Sequence, residues 1–108
     1  MLAATCSQLV MSGGFTISNK LPTELVRLPA GTDPKGILSV KNLDALYLYL
    51  KWTNFNESLV FDPRDAGIVL ATGQSYTWDT LPNGKSLLAL ATSDGTRASV
   101  DMIALVHR

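Results

Sequence analysis

At 108 residues the chain is long enough for one domain, because a chain of this size supports a single hydrophobic core. Charged residues make up 17% of it, below the roughly 25% usual in soluble domains, so uncharged polar and small residues must supply much of the surface. Nine basic residues balance nine acidic ones, which leaves no long-range field to attract nucleic acid or an anionic membrane. We therefore expect no nucleic-acid partner and no membrane partner, and no segment approaches the roughly 20 apolar residues of a membrane span.

The N-terminal stretch, residues 1–14, reads MLAATCSQLVMSGG, carries no charge and ends in a Gly-Gly pair that suits a hinge. It lacks the basic start and apolar run of a signal peptide, and Cys6 has no second cysteine in the chain with which to pair. Two interpretations stay open: an extended arm that docks on a neighbouring subunit, and a first strand of the domain itself. The arm would dock through its apolar side chains: Leu2, Leu9, Val10 and Met11.

Alternating apolar and polar residues predict strands in the first half of the chain, where helical spacing is nearly absent. The pattern runs through GFTISN (residues 14–19) and TELVRLPA (23–30), and after a Gly- and Pro-containing loop it resumes in ILSVKN (37–42). It is plainest in LDALYLYLKWTN (43–54), where we place one face in the core. That face consists of Leu46, Leu48, Leu50 and Trp52.

Turn residues separate the predicted strands of the second half. A turn at NFNES leads into SLVFD (residues 58–62), which ends where Pro63 lacks the N–H that a ladder needs. The turn PNG (82–84) is the strongest hairpin signal in the chain. The last strand is apolar on both sides, so we expect the domain or a partner to cover both of its faces. The other strands of this half are GIVLA (67–71), SYTWDTL (75–81), KSLLALATS (85–93) and TRASVDMIALVHR (96–108).

About eight strands with turn chemistry between them predict an all-β protein. The expected architecture is a single antiparallel β-sandwich or a small barrel. Under the arm interpretation, residues 1–14 are an N-terminal arm and residues 15–108 form the β-sandwich domain.

Groups that carry catalysis or bind metals are few and scattered. Asp62 and Asp65 lie three residues apart on a predicted loop, and two carboxylates fall short of the roughly six oxygens that calcium needs. The one histidine, His107, is far in sequence from Cys6, and no two-histidine or two-cysteine motif accompanies either. We therefore predict no enzymatic activity, no catalytic residue, no metal site and no cofactor.

Two aromatic pairs at strand spacing, Tyr47 with Tyr49 and Tyr76 with Trp78, have three open interpretations. Aromatic residues at this spacing are usually part of a core. On the surface they would serve as a protein interface or as a platform on which sugar rings stack. The sequence alone does not choose among the three.

Residues 67–105, GIVLATGQSYTWDTLPNGKSLLALATSDGTRASVDMIAL, resemble a pattern found in small virion proteins of tailed bacteriophages. The pattern joins a Gly-x-x-Leu-x-x-Gly-(Gln/Glu)-Ser stretch, an aromatic strand, a strand rich in Leu and Ala, an Asp-Gly-Thr turn and a final strand of alternating Val. This chain has Ala71-Thr72 where many of those proteins have Ala-Pro, and residues 1–45 match no part of the pattern.

The resemblance implies a compact β-sandwich that is a structural component of the virion. The expected function is that of a capsid decoration or cement protein, a trimer or dimer that bridges major capsid subunits on the outer shell. Its partners would be the major capsid protein and copies of itself, and it would be made in the host cytoplasm. The alternatives are a neck, tail or fibre component, or a carbohydrate-binding adhesion module.

Overall fold

The computed structural model describes residues 6–31, 33–54 and 62–107, and within them the protein is all-β apart from a single 3-10 turn, Pro63–Asp65. Eight strands form where the alternating patterns lie. They are β1 (Cys6–Ile17), β2 (Thr23–Leu28), β3 (Lys35–Asn42), β4 (Tyr47–Asn54), β5 (Ile68–Ala71), β6 (Ser75–Trp78), β7 (Lys85–Ala91) and β8 (Thr96–His107).

The strands form two antiparallel sheets of four. Sheet A has the order β1-β8-β3-β6 and sheet B the order β2-β7-β4-β5. The chain crosses between sheets after most strands, and this strand order is that of a jelly roll. The predicted antiparallel β-sandwich of about eight strands is therefore confirmed.

The hydrophobic core lies between the sheets and is built from alternate residues of the central strands. On sheet A, Val40 and Val100 are paired across β3 and β8 and both are fully buried. On sheet B, Leu50 and Ala89 are paired across β4 and β7 and are buried as well. Full burial of a Val or Leu side chain in this way contributes roughly 1.5–3 kcal/mol to folding. The period-2 pattern of the sequence thus specifies which face of each strand turns inward.

One member of the predicted core face is placed wrongly by the pattern. Leu48 and Leu50 are each 1% exposed and Trp52 is half-buried against the core, as expected, but Leu46 is 66% exposed. The reason is that β4 begins at Tyr47, so Leu46 belongs to the preceding loop and does not follow the strand's alternation. In that loop Ala45 is the residue that turns inward.

Asn42, at the end of β3, joins the two sheets at this corner. Its side chain is fully buried; its Nδ2 donates to the carbonyls of Ala45 (2.8 Å) and Leu70 (2.9 Å), and its Oδ1 accepts from the Ala45 N–H (2.9 Å). Leu70 lies in β5 of sheet B, whereas Asn42 lies in sheet A. These three hydrogen bonds satisfy a polar group that would otherwise be costly to bury.

β1 pairs with β8 along its whole length, from Cys6 opposite His107 to Ile17 opposite Thr96, without a register shift. The strand therefore runs across the predicted division between residues 14 and 15, and Gly13 lies within it. This pairing within the chain does not test whether residues 1–14 also contact another subunit. The division into an arm (1–14) and a domain (15–108) therefore stays a prediction. Of the predicted NFNES turn, Asn54 is instead the last residue of β4, and the rest of that turn and most of SLVFD fall on residues 55–61, outside the described residues.

Candidate assembly surfaces

The described residues hold no group of three or more His, Cys, Asp or Glu side chains that could bind a metal ion. Nor do they include a helix long and apolar enough to cross a membrane. The side chains of Cys6, Asp65 and His107 lie outside the described part of the chain. In this part of the chain the candidate functional features are therefore exposed surfaces.

Asp62, one of the two loop carboxylates, caps the 3-10 turn. It accepts hydrogen bonds from the Arg64 backbone N–H (2.9 Å) and from the Arg64 Nη2 (2.6 Å). The side-chain hydrogen bond from Arg64 is the main reason that the pKa of Asp62 is lowered to about 2. Such a carboxylate is ionised at neutral pH and cannot donate a proton as a general acid.

The outer face of sheet A carries an apolar patch that spans three strands. Val10 of β1 and Ile37 of β3 are both paired with Ile103 of β8, so the three side chains form one row across the sheet. Leu105 lies two residues further along β8 on the same face. We call these four residues the sheet A patch; their exposed fractions are Val10 64%, Ile37 55%, Ile103 61% and Leu105 49%.

Polar residues border the patch along the strand direction. On one side lies the row that contains Asp101, which accepts a hydrogen bond from Ser12 Oγ (2.8 Å) and is paired with Ser39. On the other side Lys35 is paired with Leu105. Three of the patch residues, Ile37, Ile103 and Leu105, line a shallow groove of about 600 Å³ together with the bordering Lys35 and Asp101. The face thus offers an apolar centre with a carboxylate at one end and an ammonium group at the other.

The outer face of sheet B differs because the chain covers part of it. Leu88 and Leu90 of β7 point to this outer face, opposite the core, yet they are buried beneath Tyr49 and Ala66. Val69 of β5 is the exposed aliphatic residue next to Tyr49, at 48%. Only on sheet A does a row of aliphatic side chains lie open across three strands within the described residues.

The four predicted aromatic site residues do not share one surface. Tyr47 and Tyr49 point to the outer face of sheet B, whereas Tyr76 and Trp78 lie on the inner face of edge strand β6. Trp78 packs edge-to-face against Trp52, with ring centroids 5.7 Å apart, and the ring centroids of Tyr76 and Trp78 are 4.8 Å apart. They therefore do not form a single stacking platform for sugar rings.

The predicted arm residues are also separated. Val10 belongs to the sheet A patch, while Met11, the next residue, points inward and packs against the core. Leu2 and the side chain of Leu9 lie outside the described residues. Sequence reasoning did not single out Ile37, Ile103 and Leu105 as site residues. The available signal was the last strand, which is apolar on both sides.

No protein-family model matches the chain, and no curated protein matches it. It is similar to a solved structure described under the words "Bacillus endospore appendages form a novel family of disulfide-linked pili", with a TM-score of 0.70 over 97% of this chain and 89% of that one. The two sequences are 13% identical. The likeness is one of fold. None of these comparisons points to a bacteriophage protein.

Proposed function

We propose that this chain is a non-enzymatic structural subunit that works by assembling with copies of itself. The observation that carries the proposal is the sheet A patch, where exposed aliphatic side chains lie side by side across three strands of a small sandwich. Contiguous exposed apolar patches on soluble domains mark interaction sites, because leaving them in water is unfavourable. The likeness in fold to the solved structure described as belonging to disulfide-linked pili supports the same role.

Three kinds of assembly fit this role. A filamentous surface appendage is supported by the fold likeness over nearly the whole chain. A capsid decoration protein that bridges major capsid subunits on a virion surface is supported by the resemblance of residues 67–105 to phage virion proteins. A neck, tail or fibre component would use the same sandwich in fewer copies. In each case the chain binds other copies or shell subunits through shape and apolar burial.

Self-assembly is tested by sedimentation velocity and negative-stain microscopy of the purified chain over a range of concentrations. We expect dimers and larger species that grow with concentration, whereas a monomer at every concentration up to the solubility limit would contradict the proposal. Samples are compared with and without reductant, because a chain with one cysteine can form a disulfide only with another molecule. Cys6→Ser is the matched control for that comparison.

The kind of assembly is tested by immunogold labelling of native material from the source. Label along filaments would support the appendage, and dense, regular label over particle shells would support capsid decoration. Label confined to one end of each particle would support the neck, tail or fibre alternative. Quantitative mass spectrometry of purified particles checks the result, because a decoration protein would be present in hundreds of copies and a neck or tail protein in a dozen or fewer.

A further inference from the structure

We propose that the outer face of sheet A is an interface on which a second copy of this chain packs face to face, about a twofold axis that crosses the strands at Ile103. This inference rests on the proposed self-assembly and names the surface and the symmetry. Such an interface is isologous, which means that the same patch serves both copies.

The apolar part of the argument comes from the row of Val10, Ile103 and Ile37. An axis that crosses the strands along this row places the row against itself, so all three aliphatic side chains of one copy meet those of the other. Packing sheet on sheet in this way is the same solution that the domain uses for its own core. The outer face of sheet B offers no equivalent surface in the described residues, because Tyr49 covers its central leucines.

The charges choose between the two possible in-plane axes. Rotation about an axis across the strands places each strand over the same strand of the partner subunit. It reverses the strand direction, so the row that contains Lys35 and Leu105 lies over the partner's row that contains Ser39 and Asp101. Lys35 then lies over the partner subunit's Ser39, beside the partner subunit's Asp101. Each interface thus contains two opposite-charge contacts, one on each side of the apolar row along the strand direction. Rotation about an axis along β8 would instead place Asp101 against Asp101, and like charges at an interface oppose association.

Both charged groups are available for this contact. The Lys35 side chain is largely exposed, and its one described ion pair, to Asp33 at 3.6 Å, is itself exposed to solvent. Exposed pairs of this kind contribute little, so Lys35 can exchange partners at small cost. Asp101 is exposed and its carboxylate accepts one described hydrogen bond, from Ser12.

The interface is tested by measuring the dimer dissociation constant of the full chain by sedimentation equilibrium. Ile103→Lys places a charge on the axis and should raise that constant at least about tenfold, as for a residue at the centre of an interface. Val69→Lys is the matched control, because it puts the same charge on an aliphatic residue of similar exposure on the other sheet, and it should leave the constant unchanged. Thermal melting of each variant verifies that it is folded.

The axis is tested by charge reversal. Lys35→Asp and Asp101→Lys should each weaken the dimer, and the double variant should restore it, because the reversed charges again face each other. Loss of rescue in the double variant would overturn the axis across the strands. If the wild type assembles and Ile103→Lys assembles equally well, the interface is overturned while the proposed function stands. If the wild type does not assemble at all, the proposed function itself fails.

Discussion

At the scale of single residues, the buried side chain of Asn42 is the polar group on which the corner of the sandwich depends most. In the wild-type protein the Asn42 amide donates hydrogen bonds to the carbonyls of Ala45 and Leu70. Asn42→Asp keeps the size of the side chain and its acceptor oxygen, but it replaces that donor with a carboxyl oxygen that faces the two carbonyls. We expect the free energy of unfolding to fall by at least about 2 kcal/mol, since each buried polar group left without a partner costs about 1–3 kcal/mol. Urea unfolding measures the loss. Asn19→Asp, in an exposed turn, is the control, and an equal effect at both positions would contradict the role of Asn42.

Asp62 gives a second prediction at this scale, on its titration. Its pKa in the folded protein is about 2, below the ordinary value of 3.8, so its interaction with Arg64 is fully present above about pH 4 and is lost as the pH falls through about 2. Arg64→Gln removes the guanidinium but keeps the backbone N–H, and should move the pKa part of the way back toward 3.8. NMR titration of the Asp62 carboxyl carbon measures both values. A wild-type midpoint near 3.8 would show that the capping contact is absent in solution.

At the scale of elements, β4 provides a matched pair of leucines. Leu48 is 1% exposed on the inner face of the strand, whereas Leu46, two residues earlier, is 66% exposed in the loop before it. Leu48→Ala should lower the free energy of unfolding by about 2–5 kcal/mol, because it removes apolar contacts and leaves a cavity. Leu46→Ala should change it by less than about 0.5 kcal/mol, as is usual at the surface. Urea unfolding of the two variants tests where β4 begins, and equal losses would contradict the strand boundary.

The same strand shows what a sequence pattern can and cannot predict. Alternation identifies strands and their inner faces, as at Leu48 and Leu50, because side chains on a strand point to opposite sides in turn. It does not show where a strand begins, since that depends on the loop hydrogen bonds that Asn42 makes. Nor does it show that Leu88 is buried on an outer face, because the covering residues come from other parts of the chain.

At the scale of the whole molecule, the sheet A patch was only partly predictable. Because the last strand is apolar on both sides, the sequence predicts that its outer face, which carries Ile103 and Leu105, is buried against the domain or a partner. Val10 and Ile37 join them only through the pairing of β1 and β3 with β8. Such pairings link distant parts of the chain, and one sequence on its own does not specify them.

Deleting residues 1–12 tests how the molecule uses its first strand. The deletion removes β1 from Cys6 through Ser12, takes Met11 from the core and exposes the edge of β8 from Asp101 to His107. If the strand belongs to its own domain, as its unbroken pairing with β8 leads us to expect, the melting temperature should fall by several degrees, since a loss of about 1 kcal/mol shifts it by roughly 4–8 °C in a domain of this size.

A synthetic peptide of residues 1–17 then distinguishes a fixed strand from one that a neighbour can supply. Added to the truncated protein, the peptide should pair with the open edge of β8 and raise the melting temperature, because strand addition restores the ladder hydrogen bonds and the contacts of Met11. The same peptide with Met11→Asp is the control, since it can form the ladder but cannot pack against the core. A truncated domain that melts like the full chain but no longer self-associates would instead support the arm, with residues 1–14 serving a second copy.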